Sequence, residues 1–148
     1  MVLSIVIGFI LPCLVGVYLF IKNPKLMILF VPVGIATSFL INGIGFTYFW
    51  KLNHTYKEMF LAAMPFNLGL FPVLGCLFVA SIQYNKVNKW WAFLLFTIVT
   101  TLFELFAVIR DQVTYRNGWN IFWTGISYLV AYIIAYTYYK IARRYNLI

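Results

Sequence analysis

Acidic side chains are nearly missing from this sequence: its 148 residues include three, Glu58, Glu104 and Asp111, against eleven Lys and Arg. Histidine occurs once, at His54, and cysteine twice, at Cys13 and Cys76. A bis-histidine haem or a histidine-rich metal site therefore has no ligand set. The two cysteines match no metal-binding spacing, and both fall inside apolar runs, where a thiol acts as inert packing. An intramembrane aspartyl pair is excluded because Asp111 stands at the end of a run, and no lysine lies mid-run to form a Schiff base. The zinc-protease pattern, the G-x-S-x-G elbow and the phosphate-binding loop are absent as well. No metal and no cofactor is expected.

What the chain has in quantity is apolar length. Hydrophobic residues make up 64% and charged residues 9%, far from the soluble norm of about half and a quarter. Five runs, 2–21, 26–50, 59–83, 90–109 and 119–141, each approach the roughly 20 residues that a membrane crossing requires. The expectation is an all-α polytopic membrane bundle of five transmembrane helices, with 1–148 as a single integral membrane domain. The first run lacks a basic leader and a small-residue cleavage site before Lys22, so it is read as a retained helix. Placing the N-terminus outside puts Lys22, Lys25, Lys86, Lys89, Lys140, Arg143 and Arg144 in the cytoplasm and Lys51, Lys57, Arg110 and Arg116 outside. Seven against four favours N-out and C-in. The net charge of +8 is spread as pairs at helix ends, which suits lipid headgroups and excludes a nucleic-acid stripe.

Helical spacing sorts the remaining polar and small residues. Pro12 removes a helical bond to the Gly8 carbonyl and bends the first span. Gly34, Ser38, Asn42 and Gly45 share one face of the second, where small residues let another helix approach. The third span holds Pro65, Gly69 and Pro72 within about two turns and is the best candidate for a broken helix; its small face is Ala62, Pro65, Gly69, Pro72, Cys76 and Ala80, with Asn67 opposite. Thr97, Thr101, Glu104, Val108 and Asp111 form the most polar line, on span four. On span five, Asn120, Thr124, Ser127, Ala131 and Ala135 make a small seam beside Tyr128, Tyr132, Tyr136 and Tyr139, with Trp119, Phe122 and Trp123 turned to lipid. Trp50, Trp90, Trp91, Trp119, Tyr138 and Tyr145 sit at span ends as headgroup anchors.

Glu104 is the feature on which function rests. A carboxylate at membrane depth costs roughly 2.5–3.5 kcal/mol on insertion scales and so faces protein or water. At about 1.5 Å per residue it lies about 9 Å below Arg110, and Asn42 and Asn67 lie about 12 Å below their own helix ends. These groups fall in the outer half of the bilayer, with Arg110, Asp111, Arg116, Lys51, Lys57 and His54 on its rim. The expected ligand-binding set is Glu104, Asn42, Asn67, Thr101, Arg110, Asp111, Tyr128 and Tyr132. Glu104 would act there as proton carrier, cation ligand or general acid; the plainer alternative is an ion pair with Arg110 or a rim lysine.

The segment Thr101-Leu102-Phe103-Glu104, followed by Trp119-Asn120-Ile121-Phe122-Trp123 and an aromatic last helix ending in basic residues, resembles a family of small uncharacterised multi-span proteins of spore-forming bacteria. The resemblance covers about the last third of the chain and implies a bacterial cell membrane and a multi-pass protein, with no activity to carry over. Three functions compete. The first is a non-enzymatic bundle binding a small hydrophobic or cationic ligand, an ion, membrane lipid or another membrane protein, as an accessory subunit or a homodimer. The second is an enzyme acting on a lipid or isoprenoid, with Glu104 as catalytic acid and tyrosine faces steadying a developing cation. The third is a scaffold in which Glu104 sets helix register.

Overall fold

The computed structural model describes residues 2–53 and 59–148. Five helices run up and down. Helix α1 is built from Val2–Ile5, Val6–Ile10 and Leu11–Lys22, α2 is Pro24–Tyr48, α3 is Met59–Gln83, α4 is Lys89–Ile109 and α5 is Ile121–Arg144. The last four are long and apolar enough to cross a membrane, and α1 adds a shorter apolar helix, Val6–Lys22. The chain is an all-α polytopic bundle, with boundaries close to those read from hydropathy. Asn88 and Asn120 start α4 and α5 by accepting backbone N–H groups, Trp90 at 3.0 Å and Phe122 at 3.0 Å, which occupies donors that a helix start leaves unpaired. Asn120 therefore works as a cap and not as part of the α5 seam.

Helix α3 is the hub. Half of its most apolar stretch is buried, 50% against 17%, 11% and 17% in α2, α4 and α5. The reason is a break in its periodicity. Residues Phe66–Leu70 form a π turn in which the Phe71 N–H bonds Phe66 O, and Pro72 follows directly. Proline has no N–H, so the carbonyl one step on, at Asn67, has no helical donor; Ser38 Oγ of α2 donates to it at 3.1 Å. The added residue turns Asn67 away from the lipid side on which straight-helix geometry would put it. Asn67 ends 1% exposed, with its Oδ1 accepting Asn42 Nδ2 at 2.5 Å.

The same device recurs in α1, where the π turn Val6–Ile10 precedes Pro12 and Leu11 N–H reaches Val6 O. The two π turns pack on each other. A Cβ on Gly69 would run into the Gly8 carbonyl oxygen and come within 2.8 Å of Phe9 Cα, and one on Gly8 would lie 3.0 Å from Phe66 Cδ1. On the α2 side, a Cβ on Gly34 would stand 2.6 Å from Pro72 Cα. The small faces expected on α2 and α3 are thus the faces that meet, and backbones close to this distance gain dispersion and Cα–H···O contacts that bulkier residues would forbid.

Helices α4 and α5 pair differently. Thr101 faces Gly125 across their seam, and the rest of the junction is aromatic: Phe78 of α3 lies 5.0 Å from both Phe93 and Tyr132 and 5.6 Å from Phe96. At this end Tyr139 Oη donates to Gln83 Oε1 at 2.5 Å.

The opposite end is closed by a two-stranded ladder that hydropathy does not announce. Strand β1, Trp50–Leu52, pairs antiparallel with β2, Val113–Tyr115, in the register Trp50↔Tyr115 and Leu52↔Val113. Arg116 fastens the ladder to α2: its Nη2 donates to Phe46 O at 2.9 Å and Trp50 O at 3.2 Å, and Asn117 Nδ2 donates to Tyr48 O at 2.6 Å. The Phe46 and Tyr48 carbonyls are among those a helix end leaves free. Trp50 folds over Gly45, which has no Cβ to obstruct it, and Trp119 stacks on Phe49 at 4.3 Å. Trp50 is 8% exposed. Both indoles therefore turn inward and form an aromatic plug, a correction to their expected place among the headgroups and, for Trp119, against lipid. Trp90, Trp91, Phe122, Trp123 and Tyr145 are exposed as anticipated.

Candidate functional site

Beneath the strand ladder, the N-terminal half of α3 and the C-terminal half of α4 stand apart, whereas their other halves touch. The divergence follows from the packing just described: Gly8 and Gly34 draw the π turn of α3 toward α1 and α2, and the ring cluster around Phe78 holds α4 only at the far end. The gap is a cleft of about 570 Å³, floored by Glu104, Thr100 and Tyr128 and reaching Arg110, Gln112 and Asn53 at the ladder. Ile5, Phe9, Leu61 and Phe103 line it and are themselves exposed, so it is a cleft open to the surroundings of the helices. A second, smaller space of about 80 Å³, also partly open, adjoins it among α2, α3 and α5, with Ser38, Thr37, Gly75, Ser127 and Tyr132 on its walls. Glu104, Tyr128, Asn42, Trp50, Phe71 and Leu74 belong to both spaces.

Glu104 sits at that junction. Its Oε2 accepts the Tyr128 hydroxyl at 3.0 Å. Its other oxygen has no donor among the described residues, and no ion pair involving Glu104 occurs among them. Arg110 lines the mouth of the cleft, one and a half turns farther along α4, and is exposed; it does not neutralise the carboxylate. The alternative reading, a Glu104–Arg110 ion pair, is thus not formed. A carboxylate has about four lone-pair sites, and only one is used.

The other expected site residues divide into three groups. Asn42, Tyr128 and Tyr132 stand on the cavity walls with Glu104, and Arg110 stands at the mouth. Asn67 lies behind the wall, where it orients Asn42. Thr101 and Asp111 take other roles. Thr101 Oγ1 donates to Thr97 O at 2.7 Å and packs on Gly125. Asp111, at φ +54°, makes the turn after α4, and its carboxylate accepts Asn53 Nδ2 at 3.1 Å. Of the rim, Arg116 is the α2 cap, and His54, Lys57 and Glu58 lie outside the described residues.

Residues that helical spacing does not single out complete the site. Thr124 Oγ1 accepts the Trp119 indole N–H at 2.9 Å and donates to the Tyr115 hydroxyl at 3.0 Å, which ties the ladder to the inner wall. Burial pushes the Tyr115 phenol up, the Thr124 bond opposes the rise, and the Glu104 carboxylate adds to it. Phe71 and Trp50 are apolar walls of both spaces. The available signal was the repeated proline after a glycine-containing turn, which marks where α3 leaves α4. No group of His, Cys, Asp or Glu among the described residues is arranged to hold a metal. An apolar cleft with one acid and a few convergent polar groups is suited to holding a molecule and orienting its polar end. No family model, curated protein or solved structure matches the chain.

Proposed function

We propose that this is a membrane-embedded binding protein whose cleft takes a small, largely apolar molecule by a hydrogen-bond-donating or cationic head, and that it sits in a cell membrane with its N-terminus outside. The observation that carries the reading is the half-satisfied Glu104 carboxylate, braced by Tyr128 on the wall of a cleft of about 570 Å³. The volume lies in the range of small-molecule sites, roughly 300–1,000 Å³. Apolar walls supply area, and the acid with Asn42 supplies orientation. A scaffold role for Glu104 would call for partners on both oxygens. The orientation rests on the seven basic residues in the α1–α2, α3–α4 and C-terminal stretches of the sequence against four in the α2–α3 and α4–α5 stretches, and the exposed apolar faces of α1 and α4 suit contact with lipid.

Native mass spectrometry of the full chain in non-ionic detergent, titrated with n-decylamine, tests it. One decylamine per chain is expected, and Glu104→Gln should weaken it at least tenfold, because hydrogen bonds to charged groups contribute about 1.5–3 kcal/mol. Tighter binding of n-decanoate than of n-decylamine would move the site to Arg110 and end the reading.

A further inference from the structure

We infer, on the strength of that binding reading, that the cleft admits a lysophospholipid sideways from the membrane leaflet on the ladder side, with its phosphate on Arg110, its free glycerol hydroxyl on Glu104 and its chain in the gap between α3 and α4. Among the described residues, two charged side chains line the cleft, one of each sign: Glu104 at the floor and Arg110 at the mouth. Neither neutralises the other. Arg110 has no side-chain hydrogen bond or ion pair among the described residues, and Glu104 keeps Oε1 bare while Oε2 accepts the Tyr128 hydroxyl. A single guest that bridges them must carry an anion and a hydrogen-bond donor.

Depth sets the order of those two groups. Arg110 is the residue directly after α4, at headgroup level, and Glu104 lies six residues, about 9 Å, further into the membrane. The polar interface of a bilayer is roughly 5–8 Å deep on each side, and in a phospholipid the glycerol lies beneath the phosphate. A phosphate on Arg110, which a guanidinium can hold through two parallel hydrogen bonds, therefore leaves the glycerol facing Glu104. Head groups such as ethanolamine or serine project past the phosphate, away from the acid. A diacyl lipid presents Glu104 with ester oxygens, which accept and cannot donate, whereas a lysolipid presents a hydroxyl.

The way in is lateral. Ile5, Phe9, Leu61 and Phe103 edge the cleft and are exposed, so its open side meets hydrocarbon and a lipid chain enters without leaving the apolar layer.

Native mass spectrometry of the full chain in non-ionic detergent, with 1-lauroyl lysophosphatidate as probe, tests the inference. Monolaurin has the same chain and hydroxyls without phosphate, and dilauroyl phosphatidate has the phosphate without a free hydroxyl. The lysophosphatidate should bind at least tenfold more tightly than either, as expected for one hydrogen bond to a charged group. Arg110→Gln, an exposed position, should bring it down to the affinity of monolaurin with the melting temperature retained, and Arg110→Lys should restore part of the difference. Glycerol 3-phosphate, the head without a chain, should not displace it. Lysophosphatidate binding that equals either control, survives Arg110→Gln or yields to glycerol 3-phosphate overturns this inference while n-decylamine binding at Glu104 stands. Amine binding that is absent, or insensitive to Glu104→Gln, removes both.

Discussion

The bundle is held together in two different ways on its two sides. Where α1, α2 and α3 meet, contact is made by backbone: Gly8 against Gly69, Gly34 against Pro72, and a Ser38 hydroxyl in place of the donor that Pro72 lacks. Where α4 and α5 join α3, contact is made by rings around Phe78. Inside a membrane no hydrophobic effect draws helices together, so close packing and polar bonds must do it. The glycine side leaves no room for an added atom, whereas the ring side can rearrange. The cleft lies where the first kind of packing gives way to the second, because a helix pulled tight against α1 and α2 cannot also follow α4.

Substitutions that add or remove a few atoms can break that contrast. The largest effect is expected for Gly69→Ala, whose single methyl meets the Gly8 carbonyl and should cost about 2–3 kcal/mol as an overpacked site; unfolding in mixed micelles measures it. Asn67→Leu comes next, at about 1–2 kcal/mol, because Asn42 keeps its place and loses its acceptor. On the ring side, Phe78→Leu removes part of the central ring yet should cost only about 1 kcal/mol, since neighbouring aromatics can move in. Gly43→Ala is the smallest: a Cβ there meets nothing within 4 Å, and helix propensity should stabilise by about 0.5 kcal/mol. Should Phe78→Leu prove costlier than Gly69→Ala, the division between tight and adaptable halves would be wrong.

Much of this was legible in the sequence. The five helices follow from runs of apolar residues, and the faces of α2 and α3 that meet follow from small residues at steps of three and four. Tyr128 and Glu104, on the tyrosine line of α5 and the polar line of α4, do face each other. What was not legible depends on pairing between distant segments. The π turns shift register by a residue that no periodicity records, which is why Asn67 turns inward. The ladder between 50–52 and 113–115 forms only once α2 and α4 end side by side, and it is this ladder that turns Trp50 and Trp119 inward onto each other and converts Arg116 from a rim charge to a helix cap. Asp111 lay on the right stripe, but the helix ends at Ile109, two residues short of carrying it to the cleft.

With only three acids in the chain, the carboxyl infrared bands can be assigned residue by residue. The most direct test of the central claim is therefore the infrared difference spectrum of the protein on adding n-decylamine, compared with that of Glu104→Gln. The account predicts a change in the carboxyl stretching bands that the substitution abolishes and that Asp111→Asn leaves in place. A difference spectrum unaltered by Glu104→Gln, or one that vanishes with Asp111→Asn, would contradict it.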